Sequence, residues 1–158
     1  MLKIIVYVIA TLFALAGSAM ANPIKLTVMQ AYLVLSGINQ LNGGYDESAT
    51  KDGKELALHH SFVFAPSVRI ALAVNASKLT DAIVPAQKAV KAANQIVAAK
   101  DGKIDPEARK ALDAEIEKIS NEIIEVDLTP ISESDLALDK NVQLNAATIQ
   151  LLLPILNH

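Results

Sequence analysis

Two apolar stripes of helical period, joined by a short turn, constrain this chain more than any other feature. Between Ser67 and Ala99 the residues Leu72, Leu79, Ile83, Ala86, Val90, Ala93 and Val97 recur at spacings of mostly three and four. A helix of that length extends about 50 Å. Pro85 lies inside it and predicts a kink, because proline lacks a backbone donor and crowds the preceding turn. The second stripe, Leu112, Ile116, Ile119, Ile123 and Val126, has heptad-like spacing and predicts a helix to about Glu125. Asp101-Gly102-Lys103-Ile104 reads as a tight connection. Asp105-Pro106-Glu107 supplies a cap, a first-turn proline and an acid in the positive first turn. Two seams so joined bury each other only by folding back, which predicts an antiparallel helical hairpin.

Shorter elements flank the hairpin. Thr27 can cap a helix from Val28 to about Leu41, stopped by Asn42-Gly43-Gly44. Tyr45 to Lys54 reads as a polar connection with a turn at Asp52-Gly53. Asn145 can cap a last helix from Ala146 to about Leu153, which Pro154 ends or bends. Extended segments are expected at Ile24–Thr27, at Ser61–Phe64 where β-formers cluster, and at Val126–Thr129 within an alternating run. All three lie at helix entries or exits. The expected fold is therefore α+β, mostly α: a long helical hairpin on a small three-stranded antiparallel sheet with two shorter helices.

Met1 to Ala21 has the layout of a cleavable export signal. Lys3 provides a basic start, Ile4–Ala16 an apolar run broken only by Thr11, and Ala19-Met20-Ala21 small residues where a signal peptidase reads. The apolar run is shorter than the roughly 20 residues of a membrane-spanning helix. Cleavage leaves a single domain, residues 22–158, in the periplasm or outside the cell. Retention would make the segment an N-terminal membrane anchor. The chain has no cysteine, which excludes disulfides, a lipoprotein anchor, thiolate metal sites and a thiol nucleophile. A net charge of −3 argues against nucleic acid and, once the signal is removed, against an anionic membrane surface.

Candidate chemistry is sparse, and no catalytic, cofactor or metal residue is assigned. His59-His60 is the only histidine pair, and neighbours in a strand point to opposite faces. Asp101 to Glu107 alternates oxygen ligands, but Lys103, the absent mid-loop glycine and Leu112 contradict a calcium loop. Glu125, Asp127, Glu133, Asp135 and Asp139 read as a solvated acidic face. Asn75-Ala76-Ser77 matches a glycosylation triplet inside a helix. The hairpin itself remains. Lys88, Lys91 and Lys100 on its first arm could pair across to Asp113, Glu115, Glu117, Glu122 and Glu125 on the second. Lys88, Lys91, Ile104, Glu115 and Glu122 are the candidate contacts for a protein partner or a second copy of the chain.

Three features together resemble a group of small tailed-phage and prophage proteins. They are Ile24-Lys25-Leu26-Thr27 running into a helix, a strand followed by a long helix with a charged turn, and the stretch Glu125-Val126-Asp127-Leu128-Thr129-Pro130-Ile131-Ser132-Glu133-Ser134-Asp135-Leu136. The resemblance implies a helical hairpin with a short sheet and supplies no catalytic residue. Such proteins usually begin near the first strand, so Met1 to Pro23 departs from their pattern. The expected function is that of an exported, non-enzymatic interaction protein of phage or prophage origin. The alternative is a periplasmic structural or chaperone-like protein of the bacterium itself.

Overall fold

The computed structural model describes residues 23–51, 54–96 and 105–157. The signal assigned to Met1–Ala21, the Asp52-Gly53 turn and the Asp101–Ile104 connection lie outside the described residues. The fold is mixed α and β and mostly helical. Strand β1 (Ile24–Thr27) runs straight into helix α1 (Val28–Gly43). A capping box makes this junction: the Thr27 hydroxyl accepts from Gln30 N–H at 3.0 Å, and Thr27 N–H donates to the Gln30 side chain at 2.8 Å. Strands β2 (Tyr45–Lys51) and β3 (Lys54–His60) follow, then helix α2 (Pro66–Ile96) and helix α3 (Pro106–Asn121). Strand β4 (Ile123–Val126), strand β5 (Ile131–Ser132), helix α4 (Ala146–Leu152) and strand β6 (Leu156–Asn157) complete the chain. Pro85 lies inside α2, exposed to solvent, and does not end the helix.

The strands form three separate pairs, which corrects the expected three-stranded sheet. β1 pairs antiparallel with β4, Ile24 opposite Val126 and Thr27 opposite Ile123. β2 and β3 form an antiparallel ribbon, and β5 pairs parallel with β6. Of the other expected strands, Ser61–Phe64 joins no sheet, and Val126–Thr129 is paired only through Val126, the last residue of β4. At Ser61–Phe64 the alternation is real, since Phe62 and Phe64 are buried and Val63 is exposed. However, a side-chain amide takes the place of a neighbouring strand. Val63 N–H donates to Asn141 Oδ1 at 2.7 Å, and Asn141 Nδ2 donates to the carbonyls of Val63 and Leu136 at 2.9 and 2.7 Å. Thr129 is held the same way by Asn75, which accepts from its N–H at 2.8 Å and donates to its carbonyl at 2.7 Å. α3 also ends at Asn121, four residues before the expected end. The β-branched pair Ile123-Ile124 leaves the helix to join β1, and Val28 N–H prolongs that ladder by donating to Glu122 O at 2.9 Å.

The main core is aliphatic. Val34 and Ile38 of α1, Leu72, Leu79 and Ile83 of α2, and Leu128, Ile131, Leu136, Leu152 and Ile155 from the C-terminal third are essentially inaccessible. Asn75, which occupies the same face of α2 between Leu72 and Leu79, is as buried as they are. Gly37 sets the distance between α1 and α4: a Cβ there would lie 2.9 Å from Leu151 Cβ. A second, smaller cluster joins Val28, Ala86 and Ile119, with Val90 and Ile124 against it. At the C-terminal side, Ser132 caps a 3-10 turn over Glu133–Leu136. Hydrogen bonds from the Ser132 hydroxyl and backbone hold the Asp135 carboxyl below its ordinary pKa. That contribution is present at neutral pH and fades as pH falls through the lowered value.

The β2–β3 ribbon depends on Gly44. Its φ of 72° and ψ of −156° suit glycine alone, and a Cβ there would collide with the His60 carbonyl. Gly44→Ala is expected to cost about 2 kcal/mol, read as a lower denaturant midpoint. An unchanged midpoint would show that the ribbon reorients freely.

Candidate partner-binding groove

The sequence places Val28 one residue after the Thr27 cap, so it faces α2 and α3 instead of the main core. Tyr32, one turn later on the same face, follows it. Ala86, Val90 and Asn94 lie on one line of α2, and Ile119 lies near the end of α3. Together these residues wall an open groove of about 480 Å³, with Gln87, Lys91 and Ser120 completing it. Ile119 and Val28 form a buried floor, while Tyr32 is 38% exposed. The small side chain of Ala86 gives the groove its depth. The lining is largely apolar, and Lys91 is its one charged side chain. An arrangement of this kind can receive an apolar side chain or a short amphipathic helix. Its lining contains no Asp, Glu, His or Cys.

Of the expected contact residues, Lys91 lines the groove. Lys88 is exposed on α2 but does not line it. Glu115 is exposed and pairs within its own helix, to Lys118 at 3.5 Å. Glu122 is exposed at the junction of α3 and β4, where its backbone carbonyl, not its carboxylate, makes the contact with Val28. Ile104 lies outside the described residues, as does Lys100. The expected charge pairing between the arms is not seen: among the described residues no ion pair joins α2 to α3. Of the carboxylates expected there, Glu125 instead pairs with Lys25 at 3.2 Å; Asp127, beyond them in the chain, pairs with Lys78 at 3.1 Å. The physical reason is that α3 ends early, so Glu125 and Asp127 belong to β4 and its exit and face β1 and the middle of α2. Sequence reading missed Val28 and Tyr32. Their signal is an i,i+4 apolar pair at the very start of α1, offset from the Ala31, Val34 and Ile38 stripe that fills the main core.

The other candidates resolve simply. His59 and His60 lie on opposite faces of the ribbon. His59 Nδ1 is 2.8 Å from Asp46 Oδ1. His60 stacks on Tyr45 with ring centroids 5.1 Å apart, and its Nε2 lies 3.2 Å from Glu47 Oε2 without the alignment of a hydrogen bond. Among the described residues no three His, Asp or Glu side chains converge as a metal site would require. Asn75 is fully buried and spends its amide on Thr129, so a glycan could reach it only in the unfolded chain. Among the described residues no helix is long and apolar enough to cross a membrane. Comparison with protein families, with curated proteins and with solved structures finds no match to this chain.

Proposed function

We propose that this chain is an exported, non-enzymatic interaction protein of phage or prophage origin, whose partner seats a helix in the groove between α1, α2 and α3. One observation carries the reading: an open apolar groove of about 480 Å³ whose floor, Val28, Ala86 and Ile119, is a cluster distinct from the main core. α2 and α3 act here as the two arms of an antiparallel hairpin. Support comes from the packing of Ala86 against Ile119 and from the few residues between Ile96 and Pro106. Two arms alone leave apolar surface uncovered, and a third helix laid along them covers it. Export rests on the layout of Met1–Ala21, and phage origin on the Glu125–Leu136 stretch.

Two measurements test the reading on the chain expressed in a bacterial host. Intact mass of the protein recovered from periplasm is expected to show Asn22 first; a soluble cytoplasmic form that keeps Met1 would remove the export reading. A photo-crosslinking residue at Val90 is expected to give one discrete adduct in the periplasm, lost when Ala86→Glu fills the groove. The same probe at Ile70, between five and six turns or about 30 Å away on α2, is expected to give none. Adducts of many sizes from Val90 would point to client holding, the chaperone-like alternative. Equal labelling at both positions would place the partner surface elsewhere.

A further inference from the structure

Of the nine asparagines in this chain, Asn42 alone is followed by glycine. The pair Asn42-Gly43 closes α1, and both residues are exposed to solvent. Among the described residues, nothing beyond its own turn comes within 4 Å of a Cβ built at Gly43. Gly44 follows at φ 72°, so the chain leaves the helix at once. A last helical turn has no further turn to hold it closed, and two successive glycines widen the conformations it can open into. Asn42 thus meets two conditions for attack on its own side chain. The next residue offers an unhindered amide nitrogen, and the backbone is free to bring that nitrogen up to the carboxamide. Every other asparagine is followed by a residue with a side chain. Asn75 and Asn141 are also buried with their carboxamides bonded to backbone, and Asn94 donates to the Val90 carbonyl within α2.

We propose that Asn42-Gly43 is a site of spontaneous deamidation, and that the conversion loosens the β2–β3 ribbon. The Gly43 backbone nitrogen attacks Cγ of Asn42. A bond forms between them and the bond from Cγ to Nδ2 breaks. Nδ2 leaves as ammonia, taking up the proton that the Gly43 nitrogen gives up, and a cyclic succinimide remains. Water then opens the ring at either carbonyl, which leaves aspartate or isoaspartate at position 42. Either product puts a carboxylate where the natural side chain is neutral. That carboxylate stands at the negative end of α1, whose last turn holds no basic residue, with Asp46 and Glu47 close behind it in the chain. Isoaspartate also lengthens the main chain by one carbon just ahead of Gly44, which packs against the His60 carbonyl too closely to admit a Cβ. The base of the ribbon is joined to the core there: Tyr45 stacks on His60 with ring centroids 5.1 Å apart and meets the buried Phe62 at 5.4 Å. The groove lies at the other end of α1, where Val28 is about 21 Å from Asn42 along the helix, so the partner site and this one are independent.

Peptide mass mapping of the purified protein, held folded for several weeks in mildly alkaline buffer at body temperature, tests this. The peptide that contains Asn42 is expected to gain the mass of an amide-to-acid exchange, and an isoaspartate methyltransferase is expected to label it. Asp52-Gly53 and Asp101-Gly102 can cyclise as well, but they lose water and regain it, so their mass does not change. Gly43→Ala is expected to slow the conversion by roughly an order of magnitude or more, since a methyl group hinders the attacking nitrogen and alanine favours the closed turn. The open space at Gly43 lets this variant fold. A synthetic peptide spanning residues 38–48 supplies the rate for an unfolded chain. A folded protein that keeps Asn42 intact while the peptide converts, or that converts its other asparagines as fast, overturns the proposal. Amide hydrogen exchange reads the second half of it. The ribbon pair Tyr45 and His60 is expected to lose protection in the aged natural chain and to keep it in aged Gly43→Ala. Asn42→Asp is expected to show part of the same loss without ageing. Unchanged exchange at the ribbon in fully converted protein overturns its coupling to this site.

Discussion

Asn141→Leu is expected to lower the stability of the fold by about 3 kcal/mol while keeping the branched four-atom outline of the buried side chain. Asn141 is 3% exposed and makes three hydrogen bonds to backbone, with Val63 N–H, Val63 C=O and Leu136 C=O. Leucine fills the space but satisfies none of them. Leaving a buried donor or acceptor unpaired costs about 1–3 kcal/mol each, and the partly buried groups at Val63 recover some of that from water. Asn75→Leu is expected to cost less, about 2 kcal/mol, because the two groups it abandons belong to Thr129, an exposed residue. Chemical denaturation gives the totals, and amide hydrogen exchange supplies the local check. Val63 N–H should lose protection selectively in Asn141→Leu, and Thr129 N–H in Asn75→Leu. If both amides exchange as in the natural chain, the side-chain amides are not what holds these segments.

These two asparagines also explain what was legible in the sequence and what was not. Burial was legible wherever a period exists. The α1 start at Val28, the α2 stripe through Leu72, Leu79, Ile83 and Ala86, the Pro106 start of α3 and the Asn145 cap of α4 all follow from spacing and capping chemistry. Alternation at Phe62-Val63-Phe64 and Asp127-Leu128-Thr129 likewise identified which side chains point inward. It did not reveal where the backbone hydrogen bonds go, because a strand and an asparagine clamp impose the same alternation. The clue lay on α2, where Asn75 fills the gap between Leu72 and Leu79 in an otherwise apolar line. A polar residue on that line needs a partner. The β2–β3 ribbon was illegible for the opposite reason. Tyr45-Asp46-Glu47-Ser48 carries no apolar alternation because both ribbon faces meet solvent there. The groove was half legible: the α2 and α3 walls follow from the seams, while the α1 wall needed the early end of α3 and the β1–β4 pairing to carry Val28 beside Ile119.

Ile119→Asp is expected to destabilise the protein by about 3 kcal/mol or more, against less than about 0.5 kcal/mol for Lys118→Asp. The two positions are adjacent in sequence but differ in what surrounds them. Ile119 is 4% exposed and clusters with Val28 and Ala86, so a carboxylate there loses its hydration among apolar side chains. Lys118 is largely in solvent, and its one ion pair, with Glu115 at 3.5 Å, is a weak exposed contact. Reversing its charge therefore removes little and adds only a screened repulsion. Ile119 is also the floor of the groove, so stability and partner capture should fall together in Ile119→Asp, whereas Ile119→Val, which removes one methylene, should cost about 1 kcal/mol and leave the fold intact. The milder variant separates the two roles. If capture at Val90 weakens in Ile119→Val while the melt barely shifts, the partner reads the shape of the floor. Equal destabilisation by Ile119→Asp and Lys118→Asp would instead mean that α3 presents a different face to α2, and the groove would have to be redrawn around that face.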